Sequence, residues 1–153
     1  MKILMVCLGN ICRSPLAEGI LKSKVNPKTV IVDSAGTGAW HSGQLPDKRS
    51  IAIAKKYNID ITDQRARIFT PEDFITFDKI YVMDKSNYVN VCRLAPSNEY
   101  IDKVELILNE SNPGKDLEVP DPYYGGDQGF ENVYQMLDEV CEQINNKIKN
   151  ASL

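Results

Sequence analysis

Cys7 and Arg13 lie six positions apart in the segment VCLGNICRSP, and the residues between them are uncharged. A cysteine thiolate is a nucleophile, and a guanidinium is a charged planar fork that binds two oxygens of a phosphoryl group. The pair therefore suggests a segment that curls around an anion, with the sulfur at its base and the guanidinium at its rim. The predicted loop consists of Leu8, Gly9, Asn10, Ile11, Cys12 and Arg13.

The position of this segment in the chain favours anion binding. It leads from the apolar run KILMVC into a predicted helix, so its N–H groups and the positive end of the helix dipole can face an anion. The same field stabilises the thiolate form of Cys7. Without that setting, the simpler interpretation is a buried strand cysteine and a solvated surface arginine.

A candidate proton donor lies far along the chain, in VPDPYYGGD. Formation of a phosphocysteine calls for a proton on the departing oxygen, and the carboxylic acid of Asp121 can supply it. Prolines on both sides of Asp121 stiffen the segment, and Tyr123 and Tyr124 can line an aromatic slot beside it. The alternative is an ordinary turn, because Asp-Pro and Gly-Gly are common in turns.

Several other polar and aromatic residues are weaker candidates. Asn10 and Ser14 can fix the loop or hydrogen-bond the sulfur of the cysteine. Ser34 lies at the end of a predicted strand and is equally consistent with a routine turn, whereas Asp84 can orient a loop or cap a helix. Trp40 follows the second predicted strand, where an aromatic side chain contacts a substrate or covers the core.

Hydrophobic patterning predicts the elements that position these residues. Apolar, β-branched runs predict strands over 2–7, 29–35, 79–84 and 103–109, of which the fourth alternates more and belongs nearer an edge. A first helix is predicted with Ser14 as its N-cap and Pro15 as its first residue. Further helices are predicted over 47–57, from the cap sequence at 70–73, over 86–93, and along the apolar stripe from Phe130 to Ile148.

Strands that alternate with helices predict a small doubly wound, flavodoxin-like α/β fold. Its sheet is expected to be four-stranded and mostly parallel, with helices on both faces, in a single domain over 1–153. In such folds, ligands bind beyond the carboxyl ends of the strands. The candidate residues that follow strand ends, and so are expected at one edge of the sheet, are Cys7, Ser34, Asp84 and Asp121.

Composition excludes several other classes of protein. The net charge is −3, which leaves no basic surplus to neutralise nucleic-acid phosphates or bind an anionic membrane. No apolar stretch approaches the ~20 residues of a membrane-spanning helix, and the start of the chain lacks the pattern of an export signal. Four cysteines and one histidine show no metal-ligand spacing. We therefore expect a cytoplasmic protein with no metal and no cofactor.

Several segments resemble the low-molecular-weight protein tyrosine phosphatases. CLGNICRSP is similar to the phosphate-binding loop of that family, and the pair CLGNICRSP and DPYYGG is highly specific. Other segments resemble the family in the same order, so the resemblance covers nearly the whole chain. These segments are VDSAGT, WHSGQLPDKRS, TPEDF and FDKIYVMDKSN. One departure is Gln64-Arg65, at a place where the family often carries a histidine.

The resemblance implies roles for the candidate residues. The implied catalytic residues are Cys7 as nucleophile, Arg13 as phosphate clamp and Asp121 as general acid. The implied network beneath the loop consists of Asn10, Ser14 and Ser34. The implied cleft walls are Trp40, Tyr123 and Tyr124.

The expected function is hydrolysis of aryl phosphate monoesters on phosphotyrosine-containing protein substrates, through a phosphocysteine and with inhibition by phosphate-like oxyanions. One alternative is an arsenate reductase of similar fold, although Cys92 lacks a nearby third cysteine and that branch lacks DPYYGG. The other is a non-hydrolytic phosphocysteine carrier or phosphotyrosine-binding module, which would not need Asp121 as an acid.

Cys12 shares the loop with Cys7, and it is either a small packing residue or a redox partner. A loop wrapped around one phosphate brings its ends together, so the two sulfurs are expected within reach of disulfide geometry. Oxidation of the catalytic thiolate would then give a disulfide that a reducing cytosol reverses.

Overall fold

Apolar strands form a four-stranded parallel sheet in the computed structural model of the protein, which describes residues 1–153. The strands are β1 (Lys2–Cys7), β2 (Ile31–Gly36), β3 (Lys79–Val82) and β4 (Val104–Leu106), in the order β2-β1-β3-β4. β1 is central, pairing with β2 from Lys2 to Cys7 and with β3 on its other side. β4 is an edge strand, as predicted, and it is shorter than predicted because a 3₁₀ turn begins at Ile107.

Helices cover both faces of the sheet. They are α1 (Arg13–Lys24), α2 (Lys48–Lys56), α3 (Asp73–Thr76), α4 (Lys85–Cys92) and α5 (Gly126–Lys149). Alternation along β1 directs Ile3 and Met5 into the larger core with α1, α2 and α5, and directs Leu4 and Val6 into a second core with α3 and α4. The predicted doubly wound α/β fold is therefore confirmed. None of the helices has the length and apolar composition of a membrane span.

The predicted role of Ser14 as N-cap of the first helix is wrong. α1 begins two residues earlier than predicted, at Arg13, and its N-cap residue Cys12 makes no side-chain hydrogen bond to the helix start. The Ser14 hydroxyl instead lies beneath the loop, 3.0 Å from the Cys7 sulfur. Because no side chain caps α1, the N–H groups of its first turn remain free to bind a ligand.

The start of the short helix α3 also differs from the prediction. Its cap was expected at Thr70, but the carboxylate of Asp73 accepts the hydrogen bond from the Thr70 backbone N–H, at 2.9 Å. This bond is the carboxylate half of a capping box, in which an acidic side chain of the first turn accepts from the backbone N–H three residues earlier.

Candidate active site

A cavity of about 310 Å³ lies at the carboxyl edge of the sheet. Cys7 is the last residue of β1 and is only 3% exposed, and Arg13 begins α1 directly after the intervening loop. Asp121 reaches the same cavity from the segment before α5, more than a hundred positions later in the chain. The residues lining the cavity are Cys7, Leu8, Gly9, Ile11, Cys12, Arg13, Trp40, His41, Asp121, Tyr123 and Tyr124.

The backbone of the loop is held by its carbonyl groups. The carbonyl oxygens of Cys7, Leu8 and Ile11 accept hydrogen bonds of 2.8–3.0 Å from Thr37, Gly38 and Asp47 in neighbouring loops. None of the backbone N–H groups of residues 8–12 donates a hydrogen bond within the protein. A run of amides without internal acceptors, next to the positive end of a helix, is an arrangement that binds an anion.

Close approach to β2 fixes the shape of the loop. A side chain at Gly36 would place its Cβ 2.8 Å from the Leu8 carbonyl oxygen, so only glycine allows this contact. Asn10 has a left-handed backbone conformation, with φ of 56°. Its side-chain oxygen accepts a hydrogen bond of 3.0 Å from the Arg67 N–H, which compensates the strain of that conformation.

A polar network beneath the loop ends at the Cys7 sulfur. The Asn10 amide nitrogen donates to the hydroxyls of Ser14, at 2.8 Å, and of Ser34, at 3.0 Å. The Ser34 hydroxyl in turn donates to the buried carboxylate of Glu18, at 2.7 Å.

The direction of these bonds has a chemical consequence. Because the Asn10 side-chain oxygen is occupied by Arg67, its nitrogen must point at the two serines. The Ser14 oxygen therefore accepts, which leaves its proton to donate to Cys7 Sγ, 3.0 Å away. A hydrogen bond donated to sulfur stabilises negative charge on it when the sulfur acts as nucleophile or leaving group.

The guanidinium of Arg13 is held by the Asp84 carboxylate and a backbone carbonyl. Its Nη1 donates to Asp84 Oδ2 at 2.7 Å and to the Val119 carbonyl oxygen at 3.0 Å. Burial acts to lower the pKa of Arg13, but the nearby Cys7 thiolate and Asp84 outweigh it and raise that pKa. Nε and Nη2 have no protein acceptor, so the guanidinium retains donors for a bound anion.

Asp84 has both of the functions that its position after β3 suggests. Oδ1 accepts from the Asn87 N–H at 2.8 Å and caps α4, while Oδ2 binds Arg13. One carboxylate thus couples the start of α4 to the guanidinium.

Asp121 is exposed, and its carboxylate accepts one hydrogen bond, of 3.0 Å, from the Tyr123 N–H. Tyr123 and Tyr124 meet edge to face, with ring centroids 5.0 Å apart. Trp40 is 72% exposed and Tyr124 is 93% exposed, so aromatic surface surrounds the mouth of the cavity without a protein partner to cover it.

Cys12 lies in the same cavity lining as Cys7 but differs in environment. It is buried, and burial together with the negative charges of Asp47 and Cys7 raises the pKa of its thiol to about 12. Cys12 is therefore a neutral thiol at physiological pH. Cys141 is a fully buried core residue on α5.

Three supporting residues were missed in the sequence: Glu18, Arg67 and Arg49. A signal was available for Glu18, which is four positions after Ser14 and so shares its helix face with a residue directed toward the loop. Gln64, in the pair where the resemblance led us to expect a histidine, donates from Nε2 to the Pro15 carbonyl at 3.0 Å and leaves Oε1 buried without a partner. No group of three or more His, Cys, Asp or Glu side chains converges to hold a metal ion.

Comparison with known proteins agrees with this geometry. Residues 2–152 match the family model for low molecular weight phosphotyrosine protein phosphatase. A phosphatase of that name from Schizosaccharomyces pombe is 42% identical over 148 residues, covering 94% of each chain. A protein tyrosine phosphatase structure from Entamoeba histolytica superposes with a TM-score of 0.92 at 38% identity, covering 100% of this chain and 99% of that one.

A Drosophila arginine phosphatase structure also superposes, with a TM-score of 0.88 at 34% identity, covering 97% of this chain and 98% of that one. With sequence and backbone matched along nearly its whole length, this chain belongs to the low molecular weight phosphotyrosine protein phosphatase family.

Proposed function

We propose that this enzyme hydrolyses phosphotyrosine in proteins in two steps, through a phosphocysteine on Cys7 and without a metal or cofactor. The observation that carries the proposal is the convergence of Cys7, Arg13 and Asp121 on one cavity. The family match favours a phosphatase over an arsenate reductase and over a non-hydrolytic carrier or binding module.

In the first step, the Cys7 thiolate attacks phosphorus, so that an S–P bond forms and the bond to the tyrosine oxygen breaks. Asp121, protonated, gives its proton to that departing oxygen. In the second step, the Asp121 carboxylate takes a proton from water as the water attacks phosphorus. The S–P bond breaks, and the thiolate and inorganic phosphate are released.

Charge stabilisation comes from the loop. The phosphoryl oxygens carry the negative charge that grows in the transition state, and the free amides of residues 8–12 together with Arg13 are donors fixed in advance around it. Phosphate-like oxyanions are expected to inhibit by occupying the same donors.

The aromatic rim supports phosphotyrosine as the substrate class. Trp40 and Tyr124 both line the cavity and expose aromatic surface that a flat ring can contact, whereas the shorter stem of phosphoserine would reach the buried sulfur poorly. The net charge of −3 argues against nucleic-acid or membrane partners. A cytoplasmic location is part of the proposal, because four free cysteines suit a reducing compartment.

A substrate panel tests the function. We expect turnover of a phosphotyrosine peptide and of para-nitrophenyl phosphate, little turnover of phosphoserine or phosphoarginine peptides, and no thiol-dependent arsenate reduction. The phosphoarginine arm is included because one structural neighbour is an arginine phosphatase. A preference for the phosphoarginine peptide, or reduction of arsenate, would contradict the proposal that phosphotyrosine is the substrate.

Asp121→Asn is expected to lower kcat/KM for phosphotyrosine by about 10²-fold, because its phenolate leaves poorly without a proton. Activated aryl phosphates, whose leaving groups need less protonation, should lose much less. The asparagine oxygen can still accept the bond from the Tyr123 N–H, so the segment keeps its shape. The measurement is kcat/KM across aryl phosphates of graded leaving-group pKa.

The matched control is Asp63→Asn, an exposed carboxylate outside the cavity, which should match the parent for every substrate. Equal losses for good and poor leaving groups in Asp121→Asn would show that Asp121 is structural rather than the acid.

Cys12→Ser is expected to retain most activity but to recover poorly after peroxide. Hydrogen peroxide oxidises the Cys7 thiolate to a sulfenic acid, and the Cys12 thiol then displaces water to form a disulfide that an added thiol reduces. Because the pKa of Cys12 is raised to about 12, Cys7 should be oxidised first.

The measurements are activity before and after thiol treatment, with and without phosphate, and peptide mass spectrometry for a Cys7–Cys12 bridge. Bound phosphate should slow inactivation of the parent. Full thiol recovery of Cys12→Ser would assign Cys12 to packing alone.

A further inference from the structure

We infer that Arg49 is a positioning residue that holds the segment carrying Asp121 against the phosphate-binding loop. The inference rests on the proposed function in one respect, namely that Asp121 acts as the acid. We call residues 120–124 the acid segment.

The acid segment depends on Arg49 for its attachment. Arg49 Nη1 donates to the Tyr123 carbonyl oxygen at 2.8 Å, and this is the one hydrogen bond that residues 120–124 make to another part of the chain. The remaining bonds are local, from the Tyr123 N–H to Asp121 and from the Gly125 N–H to Pro122.

Aromatic contacts strengthen this attachment. The Arg49 guanidinium carbon lies 5.0 Å from the centre of the Tyr123 ring and 4.6 Å from that of Phe130, a buried residue of α5. The planar guanidinium therefore contacts the acid segment and the helix that follows it.

Asp47 fixes the direction of the guanidinium. Arg49 Nε and Nη2 bind Asp47 Oδ1 and Oδ2, each at 3.1 Å, in a bidentate pair. Burial acts to raise the pKa of Asp47, but the hydrogen bonds from Arg49 outweigh it and lower that pKa. The Asp47 N–H also donates to the Ile11 carbonyl at 2.8 Å, which joins the pair to the phosphate-binding loop.

These contacts form a continuous connection from Ile11 through Asp47 and Arg49 to Tyr123, whose N–H binds Asp121. Arg49 itself does not line the cavity that contains Cys7; it lines the adjacent cavity of about 500 Å³ between α2 and α5. Its loss should misplace the acid while leaving phosphate binding intact.

The test compares Arg49→Gln and Arg49→Lys with Lys48→Gln, a neighbouring cation that lines the same adjacent cavity. Arg49→Gln should lower kcat/KM about 10-fold for phosphotyrosine and much less for an activated aryl phosphate, because proton transfer depends steeply on geometry. The inhibition constant of inorganic phosphate should stay at the parent value. Arg49→Lys should not restore activity, because an ammonium lacks the planar fork.

A second readout does not depend on activity. Amide hydrogen exchange of peptides covering 120–126 should become faster in Arg49→Gln and Arg49→Lys than in the parent, and should be unchanged in Lys48→Gln. The backbone bond from the Arg49 N–H to Asp47 survives either substitution, so α2 keeps its cap.

Each outcome decides the inference. Unchanged exchange over 120–126, full rescue by Arg49→Lys, or losses that are equal for good and poor leaving groups would overturn it. If the parent enzyme lacked phosphatase activity, the proposed function would fail, and the exchange measurement would still decide whether Arg49 holds the segment.

Discussion

Replacing Cys7 by serine is expected to abolish turnover, lowering kcat by about 10⁴-fold. The serine hydroxyl stays protonated at neutral pH and is therefore a much weaker nucleophile than the cysteine thiolate. The hydrogen-bond partner of the Cys7 sulfur is the Ser14 hydroxyl, at 3.0 Å, which is not a base that could deprotonate a serine. The measurement is kcat with para-nitrophenyl phosphate and a phosphotyrosine peptide.

Phosphate binding should survive in Cys7→Ser, because the loop amides and Arg13 are untouched and the change is of one atom. Its inhibition constant or calorimetric affinity for phosphate should remain close to that of the parent, and its melting temperature should change little. Cys92→Ser, at a partly buried cysteine outside the cavity, is the matched control and should keep parental activity. Normal turnover in Cys7→Ser, or loss of activity on adding a chelator, would contradict the two-step thiolate mechanism.

Arg13→Lys is expected to have the second largest effect, lowering kcat/KM by about 10³-fold and weakening inhibition by phosphate. A lysine ammonium can still pair with Asp84, but it cannot also present two further parallel donors to the phosphoryl group. The loss should therefore occur in kcat as well as in phosphate affinity, since the lost donors bind the transition state most strongly.

Arg93→Lys, an exposed arginine beyond α4, is the control for the change of residue type and should match the parent. If Arg13→Lys kept parental turnover and phosphate affinity, the guanidinium would serve only as the partner of Asp84.

The order of elements and the place of the candidate residues could be predicted because both follow from local patterns. Continuous apolar runs identify buried parallel strands, and β1 has this pattern from Ile3 to Val6. Since parallel strands end at the same edge, residues such as Cys7 and Asp84 were expected near one another. The structure brings both to the same edge.

The error at Ser14 has a physical reason. A serine before a proline at a predicted helix start fits the N-cap pattern, and local propensity cannot reveal that the first turn is kept open toward a ligand. The left-handed backbone conformation of Asn10 could not be predicted either, because it is stabilised by a hydrogen bond from the N–H of Arg67, 57 positions away.

The contacts of Arg49 were missed for a related reason. Periodicity indicates which face of an element is buried, but it does not say which residue of another element meets a polar side chain there. Arg49 and Tyr123 are separated by 74 positions, and neither neighbourhood contains a pattern that pairs them. The contact between Arg49 and Tyr123 can be recognised only once the fold has placed α2 beside the acid segment.

The most direct test of the central claim is to trap the covalent intermediate. The enzyme is mixed rapidly with para-nitrophenyl phosphate, quenched in acid within the first turnovers, digested and analysed by mass spectrometry. We predict one phosphoryl group on the peptide containing Cys7, present in the parent, accumulated further in Asp121→Asn with an activated substrate, and absent from Cys7→Ser. Turnover without any phosphorylated Cys7 peptide, or a phosphoryl group on another residue in all three proteins, would contradict the mechanism.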